Sequence, residues 1–498
     1  MPSTIISAVN GRSRSSSSQS SRSQTPRPPL TPQGPDGHWG GPIPGRPVSF
    51  ISPVHGDFKF YNPSFYNRVK LCITQSVSFV IASTLLIGVV FWAVLVEISI
   101  QIARRRAVDK PKANFLPWED CEKWKKEKCS EDVRYYAQQA GFDIADEEVE
   151  TEDGFYLRMH RVINPRHKSD NVKGGYPVLI LHGLFQCSGA FVTSEERSLA
   201  FWLSEHGGYQ VFLGNTRGIF NMGHRNISRS DPRFWDWTIR ELAMYDLPAM
   251  IEYVCDVTGY DKIAFIGHSQ GNGLAFLSLS QGMRPDIGDR LSCFIALAPA
   301  VFAGPLTHGF PFNHLSRVGW SRWKFMFGVL DFIPLMRYSY AMVPSKFFAL
   351  IGYAMFAYLF SWTDTNWLKR RKAKVFRFTP TPVSSASIFW WCGKGGFAER
   401  KCTMDDSMPK WFDESFPPLA IYYGGRDFLV ATDPLLERLE KREKDVRLLR
   451  VMKVEDSEHC DFYLAADAVE WCFSSFTEDI ERTRTDKVID STLIDTTV

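Results

Sequence analysis

No two of the ten cysteines in this 498-residue chain stand as CxxC; they are scattered from Cys72 to Cys472. That excludes the common zinc-site spacings and a dense disulfide framework. Free thiols are expected, with Cys392 and Cys402 the pair best spaced to bridge. Net charge is also scarce. A formal charge of +3, with no basic face interleaved with aromatics, leaves no electrostatic footprint for a nucleic acid partner. No metal or cofactor is expected.

Charge vanishes altogether from Leu71 to Val96. LCITQSVSFVIASTLLIGVVFWAVLV is preceded by Arg68 and Lys70 and followed by Glu97 and then Arg104, Arg105 and Arg106. About 20 apolar residues cross a hydrocarbon layer, so this run spans a bilayer with tilt to spare. A signal peptide would be shorter and nearer the start. One membrane anchor is therefore expected at 71–96. Residues 1–60 include GRSRSSSSQSSRSQTPRPPLTPQGP, which has too little apolar surface to offset its ordering entropy. A disordered tail, open to phosphorylation, is expected there. A juxtamembrane linker at 97–134 and a C-terminal tail at 481–498 complete the ends.

From about residue 135 short strands alternate with helical stretches. VETEDGFYLRMHRV alternates like a half-buried pair of strands, whereas YPVLILHG, YQVFLGN, KIAFIG, SCFIALAP, PLAIYYGG and VRLLRVM are apolar runs. ELAMYDLPAMIEYVCDVTG and AADAVEWCFSSFTEDI read as helices. The fold class is α/β, a mostly parallel sheet with helices on both faces, and its chemistry belongs at the strands' C-terminal ends.

KIAFI runs into Gly267-His268-Ser269-Gln270-Gly271, and a helix is expected at GLAFLSLSQG. G-x-S-x-G between a strand and a helix is the setting of a nucleophile elbow. The serine is strained, and its flanking glycines stand where side chains would collide with the neighbouring strand or helix. A serine needs a base and the base an orienting carboxylate, in the chain order Ser, acid, His. Only His308, His314 and His459 follow Ser269. The first two come right after a strand and leave no room for an acid strand between, so His459 is the base. The acid belongs after IYYGG, where Asp427 stands; Asp433 opens the next helix and Asp456 lies too near His459. Oxyanion donors are expected in the amides of Gln270 and Leu184, with Gly183 allowing close approach. His182 is expected to pack or hydrogen-bond under that loop.

HGLFQ, NTRGIF, FWDWTIRELAMYDLPAMIEYV, GHSQG, YYGGRDFLVATDP and HCDFYLAADA together resemble, in order and spacing, the acid lipase and steryl ester hydrolase family. That family includes gastric and lysosomal lipases and membrane-anchored fungal steryl ester hydrolases. The resemblance runs from about Phe142 to Cys472, and the anchor makes the chain most similar to the fungal branch. It implies an α/β hydrolase fold with Ser269 as nucleophile, Asp427 as acid, His459 as base, and an oxyanion hole from Leu184 and Gln270. It departs from the secreted members at 304–410, where no disulfide aligns.

That segment is too long for a loop, so a mainly helical cap is expected at 304–410, inserted in a core of 135–303 and 411–480. It is rich in Phe, Met, Tyr and Leu. A second membrane span would be confined to Phe347–Trp362, short for a crossing, so a lid over an apolar pocket is expected. The chain then reads as a membrane-anchored serine hydrolase that cleaves steryl esters through an acyl-enzyme, at a membrane or lipid-droplet surface. A triacylglycerol lipase with the same triad stays open. An inactive tethered scaffold would need a lost triad position. No protein partner is indicated. Arg104, Arg105, Arg106, Lys110 and Lys112 outnumber Lys59, Arg68 and Lys70, which favours a cytosolic catalytic domain on endoplasmic reticulum, lipid droplet or plasma membrane. The basic tail and the sequon Asn226-Ile227-Ser228, usable only in a lumen, argue for the opposite side. Since every proposed site residue lies between Leu184 and His459, the chemistry is expected to need nothing before about residue 113.

Overall fold

The computed structural model describes residues 58, 61–106, 122–125, 127–166 and 175–485. The expectations for the tails at 1–60 and 481–498 therefore fall largely outside the described residues. Among the described residues there are ten strands: β1 (Asp143–Glu150), β2 (Tyr156–Ile163), β3 (Pro177–Leu181), β4 (Gln210–Gly214), β5 (Ile263–His268), β6 (Leu291–Leu297), β7 (Phe302–Ala303), β8 (Leu419–Gly424), β9 (Val430–Ala431) and β10 (Leu448–Val454). Eight form one sheet in the order β1-β2-β4-β3-β5-β6-β8-β10; β7 and β9 pair antiparallel beside it. The pairs from β4 through β3, β5, β6 and β8 to β10 are parallel, and β1–β2 and β2–β4 antiparallel. Every residue of β3, β5 and β6 is buried, as apolar strands covered on both faces must be. The edge strand β10 is half-exposed along its length.

The expected helix at 241–259 has an irregular start. Ile239–Glu241 is a single α turn and Leu242–Asp246 a wide π turn before regular helix over Leu247–Thr258. Pro248 has no N–H to give the carbonyl of Met244, so the ladder shifts there; an Arg284 guanidinium N–H reaches that carbonyl instead at 3.5 Å.

The apolar run at 71–96 lies inside a longer helix, α1 (Phe65–Arg106). Nothing in the flanking NRVK and EISIQIARRR breaks a helix, so it continues past the charge boundaries. By length and composition α1 can cross a membrane. One stripe of it, Ser78, Ala82 and Ala93 with the partly buried Leu86, Val89 and Val90 between, packs onto the helices inserted between β6 and β8.

Candidate active site

At the C-terminal end of β5 the chain turns at Ser269 with φ 52° and ψ −113°, and α2 (Gln270–Ser278) begins at once. The helix starts three residues earlier than GLAFLSLSQG suggested, because the strained serine is itself its N-cap. Positive φ is costly for a residue with a Cβ. Here the Ser269 N–H donates to the Leu297 carbonyl at 3.1 Å, and the Ser269 carbonyl accepts from Asn272 and Gly273 at 3.0 Å each. The glycines are sterically required. A Cβ on Gly267 would stand 2.2 Å from Asn272 Oδ1, and one on Gly271 2.8 Å from the Leu181 carbonyl oxygen and 2.9 Å from that of His182.

The loops after β8 and β10 bring up the other two residues. His459 Nε2 lies 2.8 Å from Ser269 Oγ, and His459 Nδ1 lies 2.7 Å from Asp427 Oδ2. The other oxygen of Asp427 accepts from the amides of Leu429 at 2.9 Å and Val430 at 3.2 Å. With the imidazole proton on Nδ1 donated to the carboxylate, Nε2 is free to accept the serine hydroxyl proton. The rejected candidates lie elsewhere: His308 and His314 are exposed, Asp433 begins the helix to Arg442, and Asp456 pairs with Arg426 at 2.6 Å.

Leu184 and Gln270 both border the cavity above Ser269. Among the described residues neither backbone amide donates to a protein acceptor, and Gln270 opens α2, whose dipole adds positive potential there. Gly183 lets the loop close in: a Cβ there would stand 2.9 Å from His268 Nδ1 and 3.0 Å from Ser269 Cβ. His182 is buried beneath. Its Nδ1 donates to the Gly183 carbonyl at 2.8 Å and its Nε2 accepts from the Thr216 amide at 3.3 Å. Burial lowers its pKa to about 4, so it is neutral.

A strained serine between strand and helix, relayed through histidine to a carboxylate after the next parallel strands, is the arrangement of the α/β hydrolase fold. The profile of that fold family matches residues 176–466, and that of a partial α/β-hydrolase lipase region matches residues 133–195. This chain belongs to the α/β hydrolase fold family. It is 32% identical to sterol esterase 2 of Saccharomyces cerevisiae over 378 residues, 68% of this chain and 70% of that relative. It is 28% identical to a lipase of Caenorhabditis elegans over 336 residues, 63% of this chain and 82% of the relative. Against the lysosomal acid lipase/cholesteryl ester hydrolase of Homo sapiens it is 34% identical over 207 residues, 41% of this chain and 50% of that protein. Carboxylic ester hydrolysis is the reaction class of this lipase branch of the α/β hydrolases and of this chain.

Sequence reasoning passed over a network that supports the hydrolase site. His268, the residue before the serine, donates from Nε2 to the His459 carbonyl at 2.9 Å, and its Nδ1 faces the Tyr463 hydroxyl at 3.2 Å. That hydroxyl donates to Gln186 Oε1 at 3.0 Å, which also takes the Gly183 amide at 3.3 Å. Burial, and next the adjacent His459, hold the His268 pKa well below the ordinary histidine value. The signal available was position: Gln186 lies in HGLFQ and Tyr463 in HCDFY.

A second set of bonds ties the insertion to the His459 loop. Thr363 donates its hydroxyl to Glu458 at 2.6 Å, and Asp461 accepts from Asn366 Nδ2 and Trp367 Nε1, each at 2.7 Å. Burial raises the pKa of both carboxyls. In addition, Trp391 Nε1 donates to Gln270 Oε1 at 2.8 Å.

The cavity over Ser269 and His459 is lined mostly by apolar side chains, many of them from the insertion, among them those of Phe332, Met336, Met355 and Phe356. Leu86 of α1 lines it too. The chemistry is expected to need nothing before about residue 113, yet α1 lies along the insertion and one of its side chains reaches the cavity wall.

Proposed function

We propose that the chain is a membrane-anchored serine esterase that cleaves steryl esters into sterol and fatty acid. The observation that carries the reading is the relay of 2.8 and 2.7 Å joining Ser269, His459 and Asp427 under an apolar cavity. Ser269 Oγ gives its proton to His459 Nε2 and attacks the ester carbonyl. Asp427 holds the imidazole in the required tautomer and balances its charge. The amides of Leu184 and Gln270 receive the developing oxyanion. His459 then protonates the departing alcohol, and water activated by the same imidazole releases the fatty acid from Ser269.

The apolar cavity suits a long acyl chain and a bulky alcohol, and the sterol esterase relative supports steryl esters as the class. A triacylglycerol lipase would use the same residues, and lipases are also among the relatives. In this reading 71–96 is the anchor, 135–303 with 411–480 the catalytic core, and 304–410 the cap. The three arginines that end α1 favour a cytosolic catalytic domain, on endoplasmic reticulum, lipid droplet or plasma membrane. The test is a fluorophosphonate probe on the full-length protein. It labels the wild type and not Ser269→Ala, and the wild type hydrolyses cholesteryl oleate in vesicles faster than trioleoylglycerol. Label that persists in Ser269→Ala overturns the nucleophile; a preference for trioleoylglycerol overturns the substrate class.

A further inference from the structure

The wall of the cavity is shared between two parts of the chain with different solvents. Leu86 lies inside the uncharged run, about 15 Å along the helix axis from Val96, and so at hydrocarbon depth if α1 crosses a bilayer. Yet it lines the cavity that holds Ser269. Leu86, Met336, Leu359 and Phe360 are among the lining side chains that are only half-buried, so the apolar lining continues outward from the cavity. It meets a further apolar surface there. The insertion helix next to α1, α4 by chain order after α3 (Trp320–Phe327), spans Ser345–Phe360. It buries Phe348, Met355 and Phe356 but turns Phe347, Leu350 and Ile351 outward, at 64%, 56% and 37% exposure. Beside it α1 turns out Ile87, Phe91 and Trp92, also exposed. An exposed apolar surface of this kind needs an occupant. Its continuity with a helix long and apolar enough to cross a membrane identifies that occupant as lipid. The one charge in the first turn of α4, the exposed Lys346, is long enough to reach headgroups from such a position.

We infer that α1 is a wall of the substrate site as well as an anchor, and that the outer face of α4 is immersed in the same leaflet. Long-chain esters then enter sideways from the hydrocarbon, past Leu86, without crossing water. The inference rests on the esterase reading for its substrate and on the membrane reading for its solvent. It assigns to Leu86 a part in selecting chain length, and to Phe347, Leu350 and Ile351 a contact with acyl chains.

Two measurements on the full-length protein in phosphatidylcholine vesicles decide it. In the first, a photoactivatable aryl azide confined to the bilayer interior is activated and the labelled residues are mapped by mass spectrometry. Label is expected on the outward face of α1 and on Phe347, Leu350 and Ile351; label confined to α1 overturns the immersion of α4. This readout needs no turnover, so it stands apart from any failure of the esterase reading. In the second, the rate on cholesteryl oleate is divided by the rate on p-nitrophenyl acetate for wild type, Leu86→Trp and Ile87→Trp. The bulkier side chain in the cavity is expected to lower that ratio roughly tenfold in Leu86→Trp, whereas Ile87→Trp, one position round the helix, keeps the wild-type ratio. Equal ratios in all three, or an equal fall in both variants, overturn the role of Leu86.

Discussion

Asp427 binds His459 with one carboxylate oxygen and its own loop with the other: Oδ2 lies 2.7 Å from the imidazole, while Oδ1 accepts from the amides of Leu429 and Val430. The two amides determine what an asparagine there must do. Its carbonyl has to stay on the amides, so its NH₂ faces His459 Nδ1, which then accepts, and the imidazole proton moves to Nε2. That nitrogen no longer accepts the Ser269 proton. Asp427→Asn is expected to cut kcat on the order of 10⁴-fold at unchanged folding, measured on p-nitrophenyl butyrate with circular dichroism as the folding check. A near-wild-type rate would mean that another carboxylate orients the base.

Gly271 is pressed against backbone, not against a side chain able to swing away. Gly271→Ala should therefore push α2 off the end of β3, displacing the Gln270 amide, with a stability loss of about 1–3 kcal/mol in urea unfolding. Gly88 on α1 has open space around it, and Gly88→Ala should leave both stability and rate near wild type. Similar losses in the two variants would count against the packing account.

His182 is held neutral by burial, with a pKa of about 4 in the folded chain against about 6.5 when unfolded. The folded state thus takes up this proton later than the unfolded one. Its stabilisation is complete above about pH 6.5 and is lost as pH falls toward 4, to a total of roughly 3 kcal/mol. Asp246, raised by burial to about 6, acts in the opposite sense, so the comparison is made with a variant. His182→Gln should be less stable than wild type at pH 7.5 and show a shallower fall in Tm from pH 6.5 to 4.5. Parallel Tm profiles would remove His182 from the acid response.

Removal of residues 1–106 takes away α1 and with it the Leu86 side of the cavity. The shortened protein is expected to require detergent and to melt below the full-length protein in that detergent. An equally stable, detergent-free protein would make α1 dispensable to the fold.

Much of this arrangement was legible in the residues. β5 and α2 could be read because KIAFI is uniformly apolar and GHSQG has to turn, and His459 could be reached because chain order left it alone among three histidines. What could not be read were contacts between distant segments. Nothing in LCITQSVSFVIASTLLIGVV distinguishes the side chain that reaches the cavity from its exposed neighbours, since both are apolar, and the stripe of α1 that packs differs from the rest only in exposure. Nor does the spacing of Asn366 and Trp367 announce Asp461, 95 and 94 positions away.

That last pair of bonds constrains how the site evolves and moves. Because Thr363, Asn366 and Trp367 hold the residues on either side of His459, a cap that swung away as one piece would drag the base from its serine. Entry and readiness for proton transfer would then exclude one another. Motion confined to the stretch before Thr363 avoids that conflict, and the same division separates what selection is free to vary from what it is not. Side chains of α4 can be exchanged to suit new esters, whereas a change at Trp367 registers first as a slower reaction on every ester.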